Sequence, residues 1–315
     1  MTETTQERAN RIGLTTTRKP AVDVDGLLRP PAWLRLLRPH QWVKNAFVAA
    51  PLFLTPSTVT WGGIWTVLLG VLAFSLLASA VYVLNDYMDR EADRLHPTKC
   101  KRPIASGEVT GGTALFLLSV ALAAGLGLAF ALSPVFGAIA VVYFVMNIGY
   151  SLGLKHVSII DVMIITMGFM LRVCAGAALI KVEPSVWIVV CTGLVAMFLA
   201  LAKRRDDLTK SLGGGHRRSL EGYSLPFLDA SISIVLAALL ISYTIFTTDP
   251  AVVDQLGHPR LYVTIPFVLA GILRYLQIAL VEERSGTPTA IVLTDRFLIA
   301  AMGLWAVSFA LLVHL

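Results

Sequence analysis

The sequence predicts an all-α integral membrane protein with nine transmembrane helices, and three observations carry that prediction. The 315 residues are 56% apolar and only 15% charged, against the roughly 25% charged residues of soluble domains. The mean hydropathy is +0.73. Two stretches, 45–85 and 109–154, hold no Asp, Glu, Lys or Arg at all. Each is about twice the roughly 20 residues that cross a bilayer, so each reads as a pair of helices. The apolar runs are continuous rather than alternating, which excludes a barrel. A water-soluble enzyme fold, a disordered chain and a coiled coil are excluded by the same runs.

Residues 1–30 are polar and rich in Thr and Arg, and read as a disordered tail. Residues 31–315 read as one transmembrane domain. Its spans are expected at 41–56, 62–84, 112–132, 135–153, 158–180, 184–202, 226–247, 260–281 and 296–314. The first is the weakest, because it is short and carries Pro51 and Pro56. Pro134 and Pro184 mark turns between spans.

Loop charge then gives orientation. With the N-terminus in the cytoplasm, 23 of the 26 Lys and Arg fall on the cytoplasmic side. Lys181 and Arg260 fall opposite, and Arg172 lies inside the fifth span. That asymmetry fits a multi-pass protein of the plasma membrane. It also accounts for the net charge of +6 without invoking nucleic acid. Three cysteines with no metal-like spacing (Cys100, Cys174, Cys191) are expected as free thiols. The sequence leaves open whether the chain forms a homo-oligomer.

Two cytoplasmic loops are unlike connectors: Asn85–Gly107 after the second span, and Lys203 to about Ser224 after the sixth. The first opens with Asn85, Asp86, Asp89 and Asp93. On a helix prolonging the span, the three Asp fall within about a 60° arc. Carboxylates on one stripe repel unless a positive group sits among them, and oxygen ligands of this kind suit Mg²⁺ shared with a substrate phosphate. The plainer alternative is a solvated helix end paired with Arg90 and Arg94. Lys99 and Arg102 follow as candidate phosphate ligands, beside the alternative that they anchor topology.

The pattern N-D-x-x-D-x-x-x-D, followed by Arg102-Pro103 and Ser106-Gly107, resembles the UbiA superfamily of intramembrane prenyltransferases. Tyr150-Ser151 with Lys155 after the fourth span fits the same resemblance. It implies a nine-helix bundle with a central cavity open to lipid and cytoplasmic catalytic loops. It also implies a diphosphate held through Mg²⁺ by the Asp-rich loop, giving catalytic and metal-binding roles to Asp86, Asp89 and Asp93, with Asn85 as a further ligand.

The chain departs from the common family pattern in its second loop, which lacks a D-x-x-x-D motif. Lys210 and Ser211 stand four residues beyond Asp206 and Asp207. The segment is basic instead, with Lys203, Arg204, Arg205, Arg217 and Arg218. With Arg38-Pro39, Gln41-Trp42 and Lys44-Asn45, this resembles the decaprenyl-phosphate phosphoribosyltransferases. That subgroup implies transfer of phosphoribose from 5-phosphoribosyl diphosphate (PRPP) to decaprenyl phosphate for cell-wall arabinan synthesis. Phosphate contacts would then fall to Lys44, Lys99, Arg102, Tyr150, Lys155, Lys203, Arg204, Arg217 and Arg218. Alternatives are an aromatic prenyltransferase of quinone or haem synthesis, and a transporter of an anionic lipid or phosphate.

Asp161 and Arg172 lie about three turns apart on the fifth span. Both are expected on the cavity side, Asp161 near the cytoplasmic end and Arg172 near mid-membrane. A charge there costs about 3 kcal/mol or more, so Arg172 is expected to face the cavity near a lipid phosphate or to anchor helix packing, with a salt bridge to another helix as the alternative.

Overall fold

The computed structural model describes residues 30–53, 55, 60–211, 220–282 and 288–314, so residues 1–29 and the region 212–219 lie outside it. The described residues form helices and no strand. In chain order the α-helices are α1 (Ala32–Leu37), α2 (Ala50–Phe53), α3 (Trp61–Met88), α4 (Arg90–Arg94), α5 (Gly111–Leu132), α6 (Pro134–Leu152) and α7 (Ile160–Leu179). They continue with α8 (Val186–Ser211), α9 (Leu225–Thr248), α10 (Pro250–Leu256), α11 (Ile265–Leu280), α12 (Pro288–Thr294) and α13 (Arg296–His314).

Eight of the described helices are long and apolar enough to cross a membrane: α3, α5, α6, α7, α8, α9, α11 with its preceding turn, and α13. The protein is therefore a multi-pass membrane protein. Their starts follow ordinary capping chemistry. The Thr60, Thr110 and Ser224 hydroxyls accept from Gly63, Thr113 and Phe227 amides. Pro134 at the first turn of α6 removes an amide that would have no partner. Residues such as Phe116, Val120, Val142 and Val145 on α5 and α6 are exposed. In a membrane these faces meet lipid, where apolar exposure costs nothing.

The expected first span is different in kind. Residues Pro39–Ala49 form a 3₁₀ helix, and only Ala50–Phe53 are α-helical. Runs of 3₁₀ helix beyond one turn are uncommon and need outside support. Here three residues per turn bring Trp42, Asn45 and Val48 onto one face. Trp42 Nε1 donates to Ser79 Oγ at 3.0 Å, and Asn45 Nδ2 donates to Ser75 Oγ at 3.0 Å. Val48 is fully buried, and its carbonyl lies against Gly176 where any Cβ would collide.

A second difference concerns the stretch after the sixth span. α8 continues to Ser211, so Lys203–Asp207 sit on a helix instead of a loop. The sequence there is rich in helix formers. Lys210 pairs with Asp206 at 2.6 Å and Arg204 with Asp207 at 3.4 Å, at helical spacings that add support.

Two buried clusters divide the bundle, and α7 belongs to both. Ala175 and Leu179 pack with Phe74, Leu77 and Phe136. Val162, about four turns away, packs with Phe198, Leu228 and Ile278. α7 is thus the joint between an N-terminal and a C-terminal half.

Gly176→Ala should lower the melting temperature in detergent, because the new methyl meets backbone and not a movable side chain. Overpacking of this kind costs about 1–3 kcal/mol. Gly127→Ala, whose Cβ would enter open space, is the control and should be neutral or slightly stabilising.

Candidate active site

The acidic stripe forms as its spacing predicts. α3 ends at Met88, Asp89 is its C-cap, and α4 resumes at once. The backbone bonds Asp89 N to Asn85 O (2.9 Å) and Asp93 N to Asp89 O (2.8 Å) carry the helix through the junction. Asp86 and Asp93 are buried; Asp89 is more open.

Each carboxylate meets a cation of the same chain. Arg38 Nη2 donates to both Asp86 oxygens at 2.7 and 2.8 Å. Arg102 Nη1 donates to Asp86 Oδ1 at 3.0 Å and to Asp93 Oδ2 at 2.6 Å. Lys155 pairs with Asp89. Arg38 reaches Asp86 because its backbone is left-handed (φ 53°, ψ 57°) at the junction of α1 and the 3₁₀ helix. Its guanidinium also lies over the Tyr82 ring, 5.2 Å from the centroid.

The 3₁₀ helix supplies a second row. Gln41, Lys44, Phe47 and Ala50 are three residues apart and share a face. Phe47 and Ala50 line an apolar cavity of about 330 Å³ with Trp187, Val195, Tyr243 and Trp305. Lys44 stands one turn, about 6 Å, nearer the acidic stripe. It lies within electrostatic range of Lys203, Arg172 and Arg38. Among the described residues Lys44 and Lys203 are both exposed and neither pairs with a carboxylate.

Arg172 fixes that row from behind. Its Nε donates to Asn45 Oδ1 (2.8 Å), Nη1 to the Gly168 carbonyl (2.8 Å) and Nη2 to Tyr143 Oη (2.9 Å). The guanidinium also stacks over Tyr143 and Phe169. Arg172 is therefore a packing anchor, one of the two roles expected for it, and the cavity-facing alternative is set aside. The expected cavity side for Asp161 is corrected: it is fully buried and engaged. Arg204 Nε donates to Asp161 Oδ2 at 2.6 Å, and Tyr223 Oη donates to Oδ1 at 2.8 Å. Burial pushes the Tyr223 hydroxyl up to about 12, so it remains a donor at physiological pH. The same hydroxyl accepts from the Ile159 amide at 2.6 Å, holding Ile159 at φ 71°, a strained angle for a β-branched residue. Arg204 is thus committed to Asp161 and is not open to a substrate phosphate, contrary to expectation.

The other expected ligands are distributed as follows. Asn85 Oδ1 accepts from Ser151 Oγ at 2.6 Å. Tyr150 is half-buried within electrostatic range of Arg204. Lys99 opens a 3₁₀ turn leading to Arg102. Arg217 and Arg218 lie outside the described residues. Arg38 entered the sequence reading only as part of a resemblance; its left-handed backbone, which aims it at Asp86, leaves no sequence signal.

The donor set is all oxygen and suits a hard cation. Among the described residues no three acidic, His or Cys side chains converge on one point. Instead Arg102 Nη1 bridges Asp86 and Asp93, a positive group standing between the two carboxylates. The residues therefore fit Mg²⁺ in donor chemistry and in charge, with an arginine in its place.

Asp161→Ala should cost about 3–5 kcal/mol in a thermal or denaturant melt, because it strands the buried Arg204 charge. The double variant Asp161→Leu with Arg204→Met should recover much of the loss. Equal losses in the single and double variants would show that the pair contributes nothing as a pair.

The model of the UbiA prenyltransferase family matches residues 45–300. A decaprenyl-phosphate phosphoribosyltransferase of Corynebacterium glutamicum is 33% identical, over 90% of this chain and 86% of that one. One of Mycobacterium tuberculosis is also 33% identical, over 87% of this chain and 93% of that one. In fold, the chain is similar to a UbiA homologue from Archaeoglobus fulgidus solved with GPP and Mg²⁺, with a TM-score of 0.67 at 22% identity over 89% of this chain and 99% of that one. The family model thus covers most of the chain and the relatives nearly its whole length, and the chain belongs to the UbiA prenyltransferase family.

Proposed function

We propose that this protein transfers 5-phosphoribose from PRPP to decaprenyl phosphate and releases diphosphate. The observation that carries the reading is the imbalance of charge across the site. Three carboxylates are matched by Arg38, Arg102 and Lys155, and among the described residues Lys44 and Lys203 have no acidic partner. A donor with a diphosphate and a 5-phosphate, together with a lipid phosphate, supplies the missing negative charge. A prenyl diphosphate with an aromatic acid brings fewer phosphate charges. The names of the relatives at 33% identity carry the same acceptor, decaprenyl phosphate, and the same transferred phosphoribosyl group.

Asp86, Asp89 and Asp93 would hold Mg²⁺ with the donor diphosphate, and the metal supplies charge neutralisation of the leaving group. Arg102, Arg38 and Lys155 would bind the same oxygens and stabilise negative charge as the C1–O bond breaks. Lys44 and Lys203 would orient the lipid phosphate, and the cavity beginning at Phe47 would take the first isoprene units. C1 acquires oxocarbenium character, and a phosphate oxygen of the lipid attacks it. That nucleophile is already anionic, so no general base is required, and no histidine is assigned. Catalysis is then positioning and electrostatics. The basic end of the bundle would face the cytoplasm, where the soluble donor arrives, in the bacterial inner membrane and for cell-wall arabinan synthesis.

Detergent-purified protein given labelled PRPP, decaprenyl phosphate and Mg²⁺ should form a labelled lipid, and EDTA should abolish it. Full turnover in EDTA, or in Asp89→Ala, would refute the metal assignment. Product from a prenyl diphosphate and an aromatic acid, with none from PRPP, would refute the substrate assignment. Lys44→Gln should raise KM for the lipid about tenfold, the equivalent of one charge-assisted hydrogen bond, with KM for PRPP little changed.

A further inference from the structure

The three carboxylates and their three cations form a neutral, closed set. Arg38 and Arg102 are about a quarter exposed, whereas Asp86 and Asp93 behind them are nearly inaccessible (2% and 4%). An incoming anion meets the guanidinium groups first. An incoming cation meets them too, and a cation bridging Asp86 and Asp93 must take the place of Arg102 Nη1.

We infer that Arg38, Arg102 and Lys155 are exchangeable counterions, which leave Asp86, Asp93 and Asp89 for the substrate diphosphate only when a divalent cation arrives with it. The inference rests on the diphosphate–metal reading of this site and adds a coupling to it. Charge gives the reason. A divalent cation alone would leave the partly buried set with two excess positive charges. A diphosphate alone would leave about three excess negative ones. Both together come close to neutrality, and burying uncompensated charge is what costs most. No covalent step is involved: six side chains exchange ionic partners and keep their protons. The site then discriminates against free metal and against a lone anion, because neither by itself repays the broken Arg38–Asp86 and Arg102–Asp93 pairs.

The test uses the full chain in detergent, with Mn²⁺ as the metal probe and inorganic diphosphate as the anion. Loss of the free Mn²⁺ resonance reports metal binding, and melting temperature reports each ligand alone and both together. Wild type should bind Mn²⁺ alone weakly, and its melting temperature should rise only when metal and diphosphate are both present. Arg102→Gln should bind Mn²⁺ alone about tenfold more tightly than wild type, because a competing cation is gone. Arg38→Gln is the second variant, should the first fail to fold, and should move in the same direction. A purely structural role for these arginines predicts unchanged or weaker metal binding in both variants. That result, or tight binding of Mn²⁺ alone by wild type, overturns the exchange while leaving the diphosphate–metal reading standing. No response of wild type to metal and diphosphate together overturns both.

Discussion

A guanidinium group inside a membrane must find hydrogen-bond acceptors within the protein, and Arg172 shows how much of the molecule follows from that demand. All three of its nitrogens donate, to Asn45, Gly168 and Tyr143. Asn45 in turn donates to Ser75 on α3. The 3₁₀ helix is therefore tied to α3 and α7 at one point deep in the bundle. Its rotation is fixed there, which sets Lys44 and Phe47 together on the opposite face, with Phe47 at the cavity. Without that tie, a run of eleven residues in 3₁₀ geometry would have little to hold it.

The same demand sorts the basic residues into groups that composition alone could not separate. Arg172 and Arg204 hold helices together through Asn45 and Asp161. Arg38, Arg102 and Lys155 neutralise the acidic stripe. Lys44 and Lys203 answer to no carboxylate among the described residues. A positive charge on a membrane protein is thus at once a topological signal, a packing device and a binding group, and geometry decides which.

What the sequence could show follows from range. The helices were legible because apolar runs are local, and so is the turn that Pro134 marks between α5 and α6. The stripe of Asp86, Asp89 and Asp93 was legible because helical spacing is local as well. The 3₁₀ segment was not, since the partners of Trp42 and Asn45 lie 37 and 30 residues away on α3. Arg204 read as a phosphate ligand because its partner, Asp161, is 43 residues distant on α7. Arg38 went unassigned for a different reason: nothing in Arg-Pro announces a left-handed backbone aimed at Asp86.

The 3₁₀ geometry of Pro39–Ala49 also sets how much slack the chain has. At about 2.0 Å per residue these eleven residues reach about 22 Å, where an α-helix would reach about 16 Å. The segment covers more distance per residue than an α-helix would, and it is pinned by Arg38 at one end, Asn45 in the middle and Val48 beyond. A missing or an added residue would turn every later side chain by a third of a circle, taking Asn45 or Val48 off its partner. Length variation in this part of the chain should therefore be absorbed outside these pins, before Arg38 or after Phe53.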